Sequence, residues 1–177
     1  MGIYVYYEGI QIMKLFTYRR RTLKTTDSTA LFDEHTFYKA FSNDYKTAQH
    51  EVIIESPFVT KRRASELASI SHSLINRGVK IVLYTRNPEH HEGMLRYQAY
   101  EGLEILRKTG LKIVLCNDMR HRKIASIDRN ILWEGSLNML SQSSSKEIMR
   151  RTNSPDICMQ MLHFTGLVKC NSARVGI

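Results

Sequence analysis

Cysteine is scarce in this chain of 177 residues: Cys116, Cys158 and Cys170 are an odd number with no C-x-x-C pair. That excludes a disulfide framework and a zinc knuckle. No apolar run approaches the ~20 residues that span a bilayer, so a transmembrane protein and stable membrane insertion are excluded. Nowhere do the nine glycines form a P-loop or a G-x-G-x-x-G, and nucleotide hydrolysis by this chain is unsupported. His90-His91-Glu92 lacks the H-E-x-x-H spacing and follows Asn87-Pro88, so it reads as a surface loop and not a metal site. No other histidine has ligand partners at metal spacing, and neither a metal nor another cofactor is expected. Met1 to Phe16 carries Glu8 inside its apolar stretch and lacks a small-residue cleavage pattern, so the expected location is the cytoplasm. Acidic residues are also short, 17 against 26 basic ones, for a formal charge of +9. An excess of that size favours a polyanionic partner, either nucleic acid or an acidic lipid surface.

The length suits one domain with a self-sufficient core. Residues 1–33 look peripheral: Tyr4 to Tyr7 could form an edge strand, and the basic, Thr-rich stretch after them has no periodicity. Residues 34–48 read as a helix with Phe37 and Phe41 on its buried stripe, and Val52-Ile53-Ile54 as a buried strand stopped by Ser56-Pro57. A repeated unit follows. A helix over Lys61 to Arg77 ends at Gly78 and leads into a strand at Val79 to Leu83; a second, over Glu92 to Thr109, ends at Gly110 and leads into Leu111 to Leu115. The spacing of the two glycines is that of one β-α-β crossover. The pattern then changes to two short strands, Lys123 to Ile127 and Ile131 to Glu134, joined through Asp128-Arg129-Asn130, with Trp133 in the core. After a Ser-rich loop at 141–145, Ser154-Pro155-Asp156 opens a last helix with Ile157, Met161, Phe164 and Val168 as its apolar stripe. The expected fold class is α/β, a mixed, largely parallel sheet with helices on both faces. Its single domain covers 34–168, with a tail at 169–177.

The chemistry concentrates in one segment, His121-Arg122-Lys123-Ile124-Ala125-Ser126-Ile127-Asp128, followed by Gly135-Ser136-Leu137-Asn138. His121 and Lys123 are two apart, so on a strand both project from one face. Such a pair suits a phosphodiester: the ammonium neutralises a non-bridging oxygen while the imidazole attacks phosphorus. A nearby cation also keeps the imidazole neutral and nucleophilic. Asp128 has the opposite parity and is expected to orient or pair structurally. Gly135 permits close backbone approach, and Ser136 and Asn138 can donate hydrogen bonds to the same anion. Of the basic clusters, Arg120 and Arg122 flank the histidine, and Lys61-Arg62-Arg63 is the other candidate for a nucleic-acid contact.

Written as H-x-K-x-x-x-x-D-x-x-x-x-x-x-G-S-x-N, this segment resembles the signature of the phospholipase D superfamily, which includes phospholipases, lipid synthases, nucleases and DNA-repair phosphodiesterases. The resemblance extends from about Glu51 to Val168, where the order of elements fits the family's half-domain. It implies a carboxylate after G-S-x-N that hydrogen-bonds the nucleophilic histidine, and Glu147 is the best-placed candidate. The segment Met139-Leu140-Ser141 departs from the family's frequent aromatic-Ser sequence. Lys146 to Arg151 is similar to phospholipase D-like domains associated with helicases and ATPases, which makes such a protein a candidate partner.

The family's chemistry needs two copies of the motif, one histidine to attack and one to protonate the leaving oxygen. This chain has one. The resemblance therefore implies a homodimer that places two copies of His121 across one phosphate. The function expected is a metal-independent phosphodiesterase acting on nucleic acid, with DNA favoured, through a phosphohistidine. Its alternatives are a non-catalytic nucleic-acid-binding module serving a helicase or restriction system, and a lipid-cleaving phospholipase D.

Overall fold

Gly78 and Gly110 sit where the two crossover helices end, at φ of 87° and 89°, a backbone region that glycine enters without steric penalty. The Gly78 amide bonds the Ile75 carbonyl and that of Val79 bonds Leu74, closing the last turn before the chain re-enters the sheet. The computed structural model describes residues 28–141 and 145–168, and the edge strand expected at 4–7 and the tail from 169 lie outside them. In chain order the elements are β1 (Ser28–Asp33), α1 (Phe37–Lys46), β2 (Glu51–Glu55), α2 (Lys61–Asn76), β3 (Lys80–Arg86), a 3-10 turn (Pro88–His90), α3 (Gly93–Arg107), β4 (Lys112–Cys116), β5 (Ile124–Ile127), β6 (Ile131–Gly135), β7 (Ile148–Asn153) and α4 (Pro155–Thr165).

The seven strands form one sheet in the order β1-β7-β6-β5-β2-β3-β4. The β2-β3-β4 half is parallel, as two crossovers dictate. The other four pairings are antiparallel. The sheet is mixed as expected, but its parallel share is smaller, because β7 and β1 extend the β5-β6 hairpin with two further antiparallel strands. Asp128 and Arg129 both take φ of 52° in the turn of that hairpin, and Asn130 N bonds Ile127 O. Positive φ at both central residues gives the turn the hand of the sheet's own twist.

Strand alternation sends two sets of side chains to two cores. Val52, Ile54, Ile81, Leu83, Ala125, Ile127, Trp133 and Met149 pack with Phe37, Phe41 and Tyr45 of α1, Leu67 and Leu74 of α2, and Leu103 and Leu106 of α3. Trp133 is fully buried, and its indole N–H donates to Asp44 Oδ2 at 2.8 Å. On the opposite face Ile53, Ile124 and Leu132 pack with Cys158 and Leu162 of α4. The buried stripe of α4 is therefore one residue out of step with the expected one, and Phe164 is 84% exposed. Apolar residues surround this helix almost completely, so periodicity alone could not choose its buried side.

Candidate active site

The C-terminal ends of the parallel strands, the start of β5 and the end of β6 share one edge of the sheet, because Glu55 pairs with Ile124 and Ile124 with Glu134. In open α/β sheets ligands bind outside such an edge. His121 and Lys123 lie there, immediately before β5. Lys123 is 5% exposed and His121 is exposed, so the ammonium lies beneath a reachable imidazole. Lys123 Nζ lies 2.8 Å from His121 Nδ1, 3.3 Å from Nε2 and 2.6 Å from the His121 carbonyl oxygen. An ammonium can only donate, so the ring nitrogen facing it must present a lone pair. Partial burial and the charges of Lys123 and Arg86 hold the imidazole below its ordinary pKa, which favours that neutral form. Burial lowers Lys123 as well, against the opposing pull of the Glu147 carboxylate.

Arg120 and Arg122 project to the other side of the same segment. There they meet Glu55, a fully buried carboxylate at the end of β2: Arg122 Nε is 3.1 Å from each carboxylate oxygen, and Arg120 Nη1 is 3.6 Å from one of them. Arg120 also grips both oxygens of Asp118 at 2.7 Å, and that side-chain hydrogen bond leads the causes that bring Asp118 down to about 2. The structure thus gives both arginines an anchoring task. Lys61 pairs with Glu101, and Arg62 and Arg63 pair with Glu66, away from His121 in the chain's wiring. Arg63 additionally lies 3.3 Å above the Tyr38 ring, whose hydroxyl donates to the carbonyls of Asn138 and Ser141.

Asp128 stands at the far end of β5, where its carboxylate accepts the backbone amides of Gln49, His50 and Glu51 at 2.8 to 2.9 Å. Those three bonds hold the carboxyl below the usual carboxylate range despite its burial. Asp128 fixes the turn between α1 and β2, at the opposite end of β5 from His121 and Lys123.

Ser136 follows β6 and is locked to β7: its amide bonds Ile148 O at 2.9 Å, while its Oγ accepts from Ile148 N at 3.1 Å and donates to Glu147 Oε2. Ser145 Oγ donates to the other Glu147 oxygen at 2.7 Å. Asn138 is half-buried, and its side-chain oxygen has no hydrogen-bond partner among the described residues. Turning the amide over presents two N–H donors there instead. Gly135 explains itself by contact. A Cβ built on it would lie 2.1 Å from Ile148 O and 2.9 Å from Met149 Cα, so β6 and β7 could not keep their spacing. Gly135→Ala is expected to lose ~3 kcal/mol of stability, the upper part of the range for overpacking, and to displace Ser136. A urea titration showing an unchanged midpoint would refute this.

Phe58 adjoins His121 and gathers Arg86 and His91 around its own ring, and none of the three has a place in the sequence signature. Phe58 meets the His121 ring edge-on at 6.2 Å, Arg86 lies 5.7 Å from the Phe58 centroid, and His91 packs against the same ring at 5.1 Å. His91 is 4% exposed and not the surface residue expected, and burial leads the causes that lower its pKa. The strand β3 was expected to end at Leu83, and its extension to Arg86 is what brings this arginine to the end of the sheet.

The chain is a mixed α/β domain with the His121–Lys123 pair at one end of its sheet. The family model described as "Cardiolipin synthase, PLD-like domain" matches residues 42–164, and the chain belongs to that phospholipase D-like family. Solved structures agree on the fold. Nuc of Salmonella typhimurium, a phospholipase D family member, superposes with a TM-score of 0.65 at 14% identity, over 78% of this chain and 91% of that one. NucT of Helicobacter pylori gives 0.64 at 19% identity, over 80% and 94%. TrmBL2, an archaeal chromatin protein that binds DNA, gives 0.56 at 10% identity, over 78% and 50%. No curated protein sequence matches the chain. No helix among the described residues is long and apolar enough to cross a membrane.

Proposed function

We propose that the protein is a nuclease that hydrolyses nucleic-acid phosphodiesters, DNA above all, as a homodimer and without a metal. The observation that carries this reading is the exposed His121 imidazole resting on the buried Lys123 ammonium at 2.8 Å. When a phosphodiester enters, the ammonium turns to a non-bridging oxygen and frees the ring lone pair. The imidazole nitrogen then bonds to phosphorus, the bond to the leaving oxygen breaks, and that oxygen takes a proton from His121 of a second copy. In the second step a water oxygen replaces the imidazole on phosphorus, and the water's proton passes to the second histidine. Glu147, through Ser136, borders the phosphate position and completes the proposed set with Asn138.

Two further features favour the reading. Leu31, Ile148 and Phe164 are exposed along a groove that reaches Lys123 and Gly135, and exposed apolar groups beside a half-complete site suit contact with a second copy. Among the described residues, no three His, Cys, Asp or Glu side chains are grouped to hold a metal ion. The test is plasmid digestion in EDTA, with sedimentation of the same sample. Cleavage by a dimer in chelator is expected. Cleavage restored only by magnesium refutes the metal-free mechanism, and turnover by a strict monomer refutes the shared site.

A further inference from the structure

We infer that Arg86 holds the phosphate next to the scissile one, so that the site selects polynucleotides over isolated phosphodiesters. The inference takes its substrate from the nuclease reading above and its residue from the placement of Arg86 alone. The cations prominent in the sequence are engaged: Lys61 with Glu101, Arg63 with Glu66 and Tyr38, Arg120 with Asp118, Arg122 with Glu55. Arg86, the last residue of β3, has no carboxylate partner among the described residues. Its Nη2 is 3.6 Å from the Met119 sulfur, a weak acceptor, and its Nε is buried without a hydrogen-bond partner. A guanidinium so placed meets no strong acceptor, and guanidinium N–H groups match phosphate oxygens in pairs.

Its position relative to the nucleophile is set by Phe58. One face or edge of that ring serves Arg86 at 5.7 Å and another serves His121 at 6.2 Å. Arg86 and His121 therefore both border Phe58, while Lys123 touches the imidazole. Lys123 meets the imidazole directly and Arg86 meets it across Phe58, and a chain of phosphates would present one to each. The charge of Arg86 reaches both His121 and His91, where it disfavours protonation, so the region is electropositive before substrate arrives. A lipid diester with a single phosphate leaves Arg86 unused; a polynucleotide fills both places.

Arg86→Ala and Arg86→Lys, checked for fold by circular dichroism, are assayed on an oligonucleotide and on bis(p-nitrophenyl) phosphate. For Arg86→Ala the ratio of the two kcat/KM values should shift ~10-fold or more against the oligonucleotide, with Lys restoring part of it. In a His121→Ala background, adding Arg86→Ala should weaken DNA binding and make its salt dependence shallower by about one counterion. Equal losses on both substrates, or unchanged DNA affinity and salt slope, would overturn the assignment. A wild-type protein that cleaves no nucleic acid, but whose DNA binding still depends on Arg86 in this way, would remove the nuclease reading and leave the Arg86 assignment standing.

Discussion

His121→Ala protein is expected to cleave DNA at least ~10⁴-fold more slowly than the wild type, because one substitution removes both the nucleophile and the proton donor of the proposed dimer mechanism. DNA binding should persist, since Lys123 and Arg86 remain. Rapid acid-free quenching of wild-type protein with labelled substrate should leave label on the His121 peptide. The pH dependence follows from the same residue. Activity needs one imidazole neutral and its twin protonated, a state most populated where pH equals the pKa of the free site. Burial, Lys123 and Arg86 place that pKa below the ordinary 6.5. The optimum of kcat/KM should accordingly lie below pH 6.5, and Lys123→Met should move it upward by removing a charge that opposes protonation. An optimum above pH 7, or an active His121→Ala protein without trapped label, would rule the mechanism out.

The second large effect is on stability. Glu55→Ala leaves the guanidinium of Arg122 with its carboxylate gone, at a position where Glu55 itself is fully buried. Removing one member of a buried ion pair costs about 3 kcal/mol or more, and the lower end applies here because the Arg122 side chain is 41% exposed and Arg120 keeps Asp118. Glu55→Gln should lose less, because an amide oxygen can still accept from Arg122 Nε. The comparison is made by urea unfolding. A midpoint shift worth under ~1 kcal/mol for the alanine variant would show that the pair is incidental.

Much of this was legible in the sequence because local chemistry and tertiary role coincided. Gly78 and Gly110 marked helix ends that the structure confirms to within a residue or two, and Ser154-Pro155 opened α4 with the Ser154 Oγ accepting from Ile157 N. The motif spacing anticipated that His121 and Lys123 would lie side by side and that Asp128 would stand apart from them. What escaped was held by long-range partners. β7 carries Arg150 and Arg151, whose strand character depends on Glu134 and Asp44 far away in the chain. β1 exists because β7 is there to pair with it. The basic clusters were visible as charge in the sequence, whereas their carboxylate partners Glu55, Glu66, Glu101 and Asp118 were not. Glu55 looked like the polar end of an apolar strand, and Phe58 and Arg86 lie 63 and 35 residues before His121 with no fixed spacing to announce them.

The position of Asp128 changes how loss-of-function data on this family's signature should be interpreted. It anchors three consecutive amides of a turn about the length of β5 away from the imidazole. A screen that scores only activity would class Asp128 with His121, since variants of either would be inactive. Their soluble yields would separate them: the histidine variant should accumulate normally, whereas the aspartate variant should be scarce and protease-sensitive at Gln49 to Glu51. On the proposed mechanism one contiguous motif carries a reaction at one end and a folding constraint at the other, and abundance, not turnover, is the measurement that tells the two apart.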